Sequence, residues 1–362
     1  MMFIKKSLVL IFCCFSTLVY ATTIKAVLVP GDVFGITPNS KAWISTDSTT
    51  IFSYPLRPHN TQENISTQNQ KKSTTIKALY DGKNVAILFK WKAPLLPKEN
   101  NTTTILSENF TVQIPKEGLP YVNMGYQDAP VLLYTLRANE EINATTRRLQ
   151  DANISESTRL SQAQGPEHIK ELFPLTQDYT MHLIYKKGYY LASFTRVLKS
   201  TINNLNSGVF AISFSSHLTF QNDNNHTQYL SPWIAIQLSG EHGNDTLRER
   251  LNMKATGDIA KGAKIAYENC AICHRYKDVK RAPEDMAPDL SFAGGLYDLN
   301  YLKESLIHPS KVIMKSYRDD NQTNAAWSGT NEAGESTSTM PSFEWLSQQE
   351  MDDLLTFLQT LK

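Results

Sequence analysis

The stretch "ENCAICHRY" (Glu268–Tyr276) sets two cysteines three residues apart, with a histidine directly after the second. The whole chain of 362 residues has four cysteines. The other two, Cys13 and Cys14, lie in the leader "MMFIKKSLVLIFCCFSTLVYA" (1–21). Lys5 and Lys6, an apolar run, and small residues at Val19 and Ala21 read as a secretory signal peptide cut after Ala21. The run is short for a membrane anchor, which needs ~20 apolar residues, and no cysteine stands at the cleavage point to take a lipid. The mature chain is therefore expected to be exported, to the periplasm or an equivalent compartment, with no membrane span.

Only Cys270 and Cys273 remain after cleavage. An exported protein usually spends cysteines on disulfides. A disulfide here would close a two-residue gap and constrain little of the unfolded chain, so these cysteines are expected to do chemistry. Cys-x-x-Cys-His is the attachment signature of c-type haem. Cysteines on one turn reach the two vinyl groups of a porphyrin, and the adjoining His274 meets the iron. A zinc site would need more Cys or His, and after His274 only His308 follows. A redox-active Cys-x-x-Cys would want a βαβ setting, which the sequence lacks. One covalent haem c is the reading.

The sixth iron ligand must come from Met286, Met314, Met340, Met351 or His308. Met340 stands in "STSTMPSF" (336–343), where Pro341 stiffens the loop, and it is the expected ligand. Met351 falls inside the last helix, where a core role is expected. Met286 is expected to pack against the haem edge. Histidine–methionine ligation raises the potential and suits electron transfer rather than oxygen chemistry.

Working outward, residues 257–362 read as all-α. "DIAKGAKIAYENCAICH" (258–274) has Ile259, Ala263, Ile265 and Ala266 at mostly helical spacing. "LNYLKESLIHP" (299–309) is a helix that Pro309 ends. "LSQQEMDDLLTFLQTLK" (346–362) opens on a capping box, Ser347 with Glu350, and carries an apolar face of leucines and Phe357. Residues 22–245 have a different grain. "TTIKALYDGKNVAILFKWKA" (74–93) is two strands around the tight turn Asp81-Gly82. "PVLLYTLR" (130–137), "YTMHLIYKKGYYLASFTRVL" (179–198), "GVFAISFSSHLTF" (208–220) and "SPWIAIQL" (231–238) continue the pattern. Many short strands with few helices indicate an antiparallel β-sandwich. Residues 138–170 read as a polar surface insertion and 246–256 as a linker. The fold class is α+β and multidomain, a β-sandwich followed by an all-α domain. The formal net charge of +1 gives no support to a nucleic-acid partner.

Residues 257–362 resemble the class I cytochromes c. The likeness rests on "GAKIAYENCAICH" (262–274), "APDL" (287–290), "YLKESLIHPSKVI" (301–313) and "MPSF" (340–343). It implies that the Pro288 carbonyl accepts the ring N–H of His274 and orients it. The long polar stretch 316–339 before Met340 departs from that pattern.

Residues 22–240 resemble the haem b domain of ethylbenzene dehydrogenase gamma subunits, whose relatives serve other molybdenum enzymes of the dimethyl sulfoxide reductase class. The segments are "STTIKALYDGKNVAILFKWKAP" (73–94), "ENFTVQIP" (108–115), "YVNMGYQDAPVLLYTLRAN" (121–139), "KKGYYLASFTRVL" (186–198) and "SPWIAIQL" (231–238). The resemblance implies a second, non-covalent haem b held by a methionine and a lysine. Met124, in a Met-Gly pair before Pro130-Val131, matches the methionine. The lysine is missing, with Gln228 near its place. His226 is the expected substitute and His217 a further candidate.

The expected function is an exported dihaem electron-transfer protein. It would pass electrons between a redox enzyme, such as a molybdenum oxidoreductase, and other cytochromes. One alternative is a monohaem cytochrome c with a carbohydrate- or ligand-binding sandwich. Another is a haem enzyme with an open iron position. No nucleophile–base pair or carboxylate pair for substrate chemistry is evident.

Overall fold

A computed structural model describes residues 23–56, 71–93, 103–117, 119–120, 129–143, 155–164, 169–172, 178–205, 208–220, 228–240, 245–283, 286–312, 328–334 and 336–362. The leader 1–21, Met124 and His226 lie outside the described residues.

Among the described residues thirteen strands make the N-terminal region: β1 (Thr23–Leu28), β2 (Thr49–Leu56), β3 (Lys72–Tyr80), β4 (Asn84–Lys92), β5 (Thr103–Pro115), β6 (Val131–Asn143), β7 (Ser155–Ala163), β8 (Ile169–Leu172), β9 (Tyr179–Lys186), β10 (Tyr189–Val197), β11 (Val209–Phe220), β12 (Gln228–Leu230) and β13 (Ile234–Leu238). They run in the order β8-β7-β6-β5-β11-β12-β2-β3-β4-β10-β9, and β1 ties β13 to β3. The sheet folds over on itself as a sandwich. Nearly every pairing is antiparallel, the exceptions being β1 with β13 and with β3.

Period-two patterning explains the layers. On β10, Tyr190, Ala192 and Phe194 face the interior, as do Ile87, Phe89 and Trp91 on β4 and Phe210, Ile212 and Phe214 on β11. Rings from the two layers meet there. Phe89 lies 4.9 Å from Phe110 and 5.3 Å from Phe214. Trp91 stacks on Phe110 at 4.9 Å. The β3–β4 hairpin turns at Asp81-Gly82 with Gly82 at φ +89°, a conformation that favours glycine.

The segment 138–170 differs from its reading as an insertion. Its ends are β6, β7 and β8, which form one edge of the sheet. The edge strand β8 has no buried residue, and β7 buries little that is apolar beyond Leu160 and Ala163. The segment read as a linker contains helix α1 (Asp245–Asn252). Its Leu247 and Leu251, four residues apart, pack with Leu133 and Trp233 on the outer face of the sandwich.

The C-terminal region follows with α2 (Ile259–Ile265), α3 (Ala293–Leu296), α4 (Leu299–Ile307), the hairpin β14 (Ser328–Thr330) and β15 (Ser336–Ser338), and α5 (Gln348–Gln359). Asp258 caps α2 and Asp298 caps α4. Ser347 and Glu350 close a full capping box on α5. Helices α2 and α5 cross at Gly262. A Cβ there would meet Asp353 O at 1.9 Å and Phe357 Cβ at 2.9 Å, so only glycine permits the approach. Among the described residues no helix is long and apolar enough to cross a membrane.

The two regions touch. Tyr54 and Leu230 of the sandwich bury against Leu296. The Tyr54 ring lies 5.6 Å from Phe292 and occupies the space that a side chain at Gly295 would need. Arg250 of α1 donates from Nη1 to Leu119 O (2.9 Å) and from Nε to Asp298 Oδ2 (3.0 Å), bridging sandwich and helices.

Candidate haem centre

Helix α2 widens after Ile265 into a π-type turn over Ala266–Cys270, closed by Ala271 N donating to Ala266 O at 2.9 Å. Turns of this kind recur at functional sites. The Cys270 carbonyl then accepts from both Cys273 N (3.0 Å) and His274 N (2.8 Å), winding the motif into one tight turn. Both thiols are free, Cys270 buried and Cys273 half-buried. Burial, helped by the neighbouring Cys273, pushes the Cys270 pKa up to about 12. A thiol held that firmly protonated is the opposite of a redox-active Cys-x-x-Cys, whose thiolate is stabilised. Among the described residues no group of three or more His, Cys, Asp or Glu side chains is arranged to hold a metal ion.

His274 is 9% exposed, and its Nδ1 lies 2.7 Å from Pro288 O. A carbonyl only accepts, so Nδ1 carries the proton and Nε2 keeps its lone pair. Burial lowers the His274 pKa, against the Pro288 hydrogen bond and the Asp289 charge, which raise it. The imidazole is therefore neutral near pH 7, the form that ligates iron. Leu290 N to Arg275 O (2.8 Å) and Lys277 N to Ser291 Oγ (2.7 Å) pin the Pro288 segment alongside the motif.

Met340 is half-buried and packs against the cluster that contains Cys270, Tyr276 and the leucines of α4 and α5. Its loop is stapled to the end of α4. Phe343 N donates to Leu306 O and Ser342 Oγ to Ile307 O, both at 2.8 Å. Met351 is buried in the helical core and Met286 is exposed. His308 sits on the surface 3.8 Å from Glu344. Met314 lies outside the described residues. In the same cluster Tyr276 Oη is buried with no hydrogen-bond partner among the described residues. Free thiols on one turn, an oriented neutral imidazole and this orphaned phenol fit a covalently attached haem.

The sandwich offers one matching observation for a second group. Arg196 is fully buried, and its Nε and Nη1 have no hydrogen-bond partner among the described residues. An orphaned guanidinium fits a propionate. The centre of the sandwich is filled by Phe89, Trp91, Phe110 and Phe214. His217 lies on β11 with the parity of Ala211 and Ser213, the face turned away from Phe214 and the interior, and Gln228 and Asn109 stand opposite it. Arg196 escaped the sequence reading. Its signal was there: counting by two from Tyr190 places Arg196 on the inward face.

A covalent haem protein joined to a β-sandwich is the class that this fold and site define. The family model for Cytochrome c matches residues 259–362, and the C-terminal region is a cytochrome c domain. The chain accordingly carries a haem c with an electron-transfer role. No curated protein matches the chain. Among solved structures, the sandwich is similar to a carbohydrate binding module family 9 from Caldicellulosiruptor kristjanssonii in complex with glucose, at 13% identity, over 61% of this chain and 98% of that one, with a TM-score of 0.31. The same kind of module in complex with cellotriose gives 14% identity, 61% and 95% coverage and a TM-score of 0.30. Likeness at this level carries no argument about a ligand of this chain. These findings give no support to the resemblance to ethylbenzene dehydrogenase gamma subunits or to a second haem.

Proposed function

We propose that this chain is an exported electron carrier. Cys270 and Cys273 would hold the haem by thioether bonds, His274 and Met340 would supply the nitrogen and sulfur ligands of its iron, and Pro288 would fix the imidazole. The observation that carries this reading is the 2.7 Å contact from His274 Nδ1 to Pro288 O. It presents an unprotonated Nε2 on the turn that also bears the two thiols. The haem supplies one-electron exchange at its iron. Cys270 and Cys273 anchor it, His274 stays neutral in its buried setting, and the stapled loop at Ser342 and Phe343 restrains Met340.

The test is spectroscopic. Oxidised His–Met haem shows a weak thioether-to-iron charge-transfer band. Met340→Ala should abolish the band and lower the potential, because a thioether favours the reduced iron. Loss of the band in Met286→Ala, with Met340→Ala unaffected, would assign the ligand elsewhere.

In this reading the sandwich holds a haem b, with Met124 and a second ligand at His226. Its partners are a redox enzyme, such as a molybdenum oxidoreductase, and a further cytochrome. The support is the ordered resemblance of the strand segments and the orphaned Arg196 guanidinium. Acid-acetone removes haem held only by axial and apolar contacts and leaves haem held by thioethers. Full-length protein should therefore yield about one extractable and one retained haem per chain. Met124→Ala should lower only the extractable one.

A further inference from the structure

The polar stretch 316–339 departs from the class I pattern, and it runs directly up to Met340. Its described part holds a hairpin. Strands β14 and β15 pair antiparallel, with Ser328 opposite Ser338. Their connection turns at Asn331, where Oδ1 accepts from Ala333 N (3.1 Å) and the backbone carbonyl accepts from Gly334 N (2.9 Å). Gly334 has φ +80°, the left-handed conformation that closes hairpin loops of this kind.

Two strands of three residues do not make a hairpin that is stable alone in water. This one is fastened at the end nearest Met340. Ser338 N donates to Ser310 Oγ at 3.1 Å, and Ser310 lies just past the end of α4. Ser338 Oγ accepts from Met340 N, also at 3.1 Å. Ser338 therefore links Ser310 to the Met340 backbone, through its N–H on one side and its hydroxyl on the other.

The chain beyond Met340 is anchored to the same helix end. Ser342 Oγ donates to Ile307 O and Phe343 N donates to Leu306 O, each at 2.8 Å. Leu306 and Ile307 stand in the last turn of α4, whose carbonyls have no partners within the helix. Pro341, between the anchors, has a fixed φ. Met340 is thus clamped from both sides to residues 306–310. The downstream anchor uses carbonyls that any helix end offers. The upstream anchor needs the hairpin. Ordering the loop in advance lowers the entropy that ligation of iron would otherwise cost.

We propose that the β14–β15 hairpin is a brace for the sixth iron ligand, and that Ser338 is the positioning residue that transmits the hold of Ser310 to Met340. The proposal rests on Met340 being that ligand.

The test uses the full-length, haem-loaded, oxidised protein titrated with imidazole and followed at the thioether-to-iron charge-transfer band. Imidazole takes the iron only in molecules whose Met340 has let go, so its apparent Kd falls as that fraction grows. Wild type should show the band, and Met340→Ala should not. One net hydrogen bond shifts an equilibrium by about 3- to 10-fold, so Ser338→Ala should bind imidazole about 3- to 10-fold more tightly than wild type. Ser338→Thr keeps the hydroxyl at a strand position that suits threonine and should return to the wild-type value. Ser310→Ala leaves the hairpin's own residues intact and should shift in the same direction as Ser338→Ala. If wild type shows the band and either alanine variant binds imidazole as wild type does, the brace is overturned and the ligand assignment stands. A Ser338→Thr protein as tight as Ser338→Ala also overturns it, because the hydroxyl would then carry nothing. If wild type lacks the band, or Met340→Ala keeps it, the brace and the ligand assignment fall together. Should Ser338→Ala fail to mature, Ser310→Ala decides.

Discussion

Gly262→Ala probes the crossing that shapes the haem-bearing domain. The new methyl would lie 1.9 Å from Asp353 O, 2.5 Å from Asp353 C and 2.9 Å from Phe357 Cβ. Two of these three atoms are backbone of α5 and have no rotamer in which to escape, so α2 and α5 must separate. Overpacking a close contact costs ~1–3 kcal/mol, and a clash with backbone belongs at the upper end. Alanine returns ~1 kcal/mol of helix propensity over glycine. The net loss is ~2 kcal/mol, which in a domain of this size lowers the melting midpoint by roughly 10 °C. Thermal unfolding of the haem-loaded protein, followed at the haem absorption, reads this directly. A midpoint that stays put or rises would mean that propensity acts alone, and the α2–α5 crossing would be wrong.

Other perturbations test other contacts. The Asp353 carboxylate accepts from Asp258 N at 2.6 Å and Gln349 Nε2 at 2.8 Å, and the Asp258 bond is the main cause holding its pKa below 3.8. A carboxyl lowered in the folded state stabilises above its unfolded pKa and loses that contribution as pH falls through the folded value. Asp353→Asn should thus be less stable than wild type at pH 7, with the gap closing below pH ~3.8; a gap independent of pH would remove the charge from the account. Arg250→Ala cuts the link from Leu119 O to Asp298 and should cost ~2 kcal/mol in denaturant unfolding, since both bonds involve a charged, largely buried group; no measurable loss would make the bridge incidental. Gly295→Val should clash with Tyr54 and expose the junction between the two regions to protease, and unchanged digestion would argue that the contact at Gly295 is dispensable.

The features legible in the sequence were those with strong local rules. Cys-x-x-Cys-His states its chemistry by spacing. Asp81-Gly82 demands a glycine conformation, and the Ser347–Glu350 capping box announces the start of α5. The edge strands β7 and β8 were read as an insertion because they bury little apolar surface, so the alternation that marks a half-buried strand is faint. Helix α1 hid in a charged stretch whose only apolar signal is Leu247 and Leu251. Gly262, Gly295 and Arg196 matter through partners far away in sequence, namely α5, Tyr54 and Tyr134. No window of local sequence contains those partners.

The central claim is a haem bonded to Cys270 and Cys273. Its most direct measurement is the intact mass of the mature chain under denaturing conditions, compared with Cys270→Ser/Cys273→Ser. The account predicts one haem added to the polypeptide mass in wild type and none in the double variant, because thioether bonds survive unfolding and axial bonds do not. A wild-type chain with no added mass, or a double variant that keeps the haem, would contradict it.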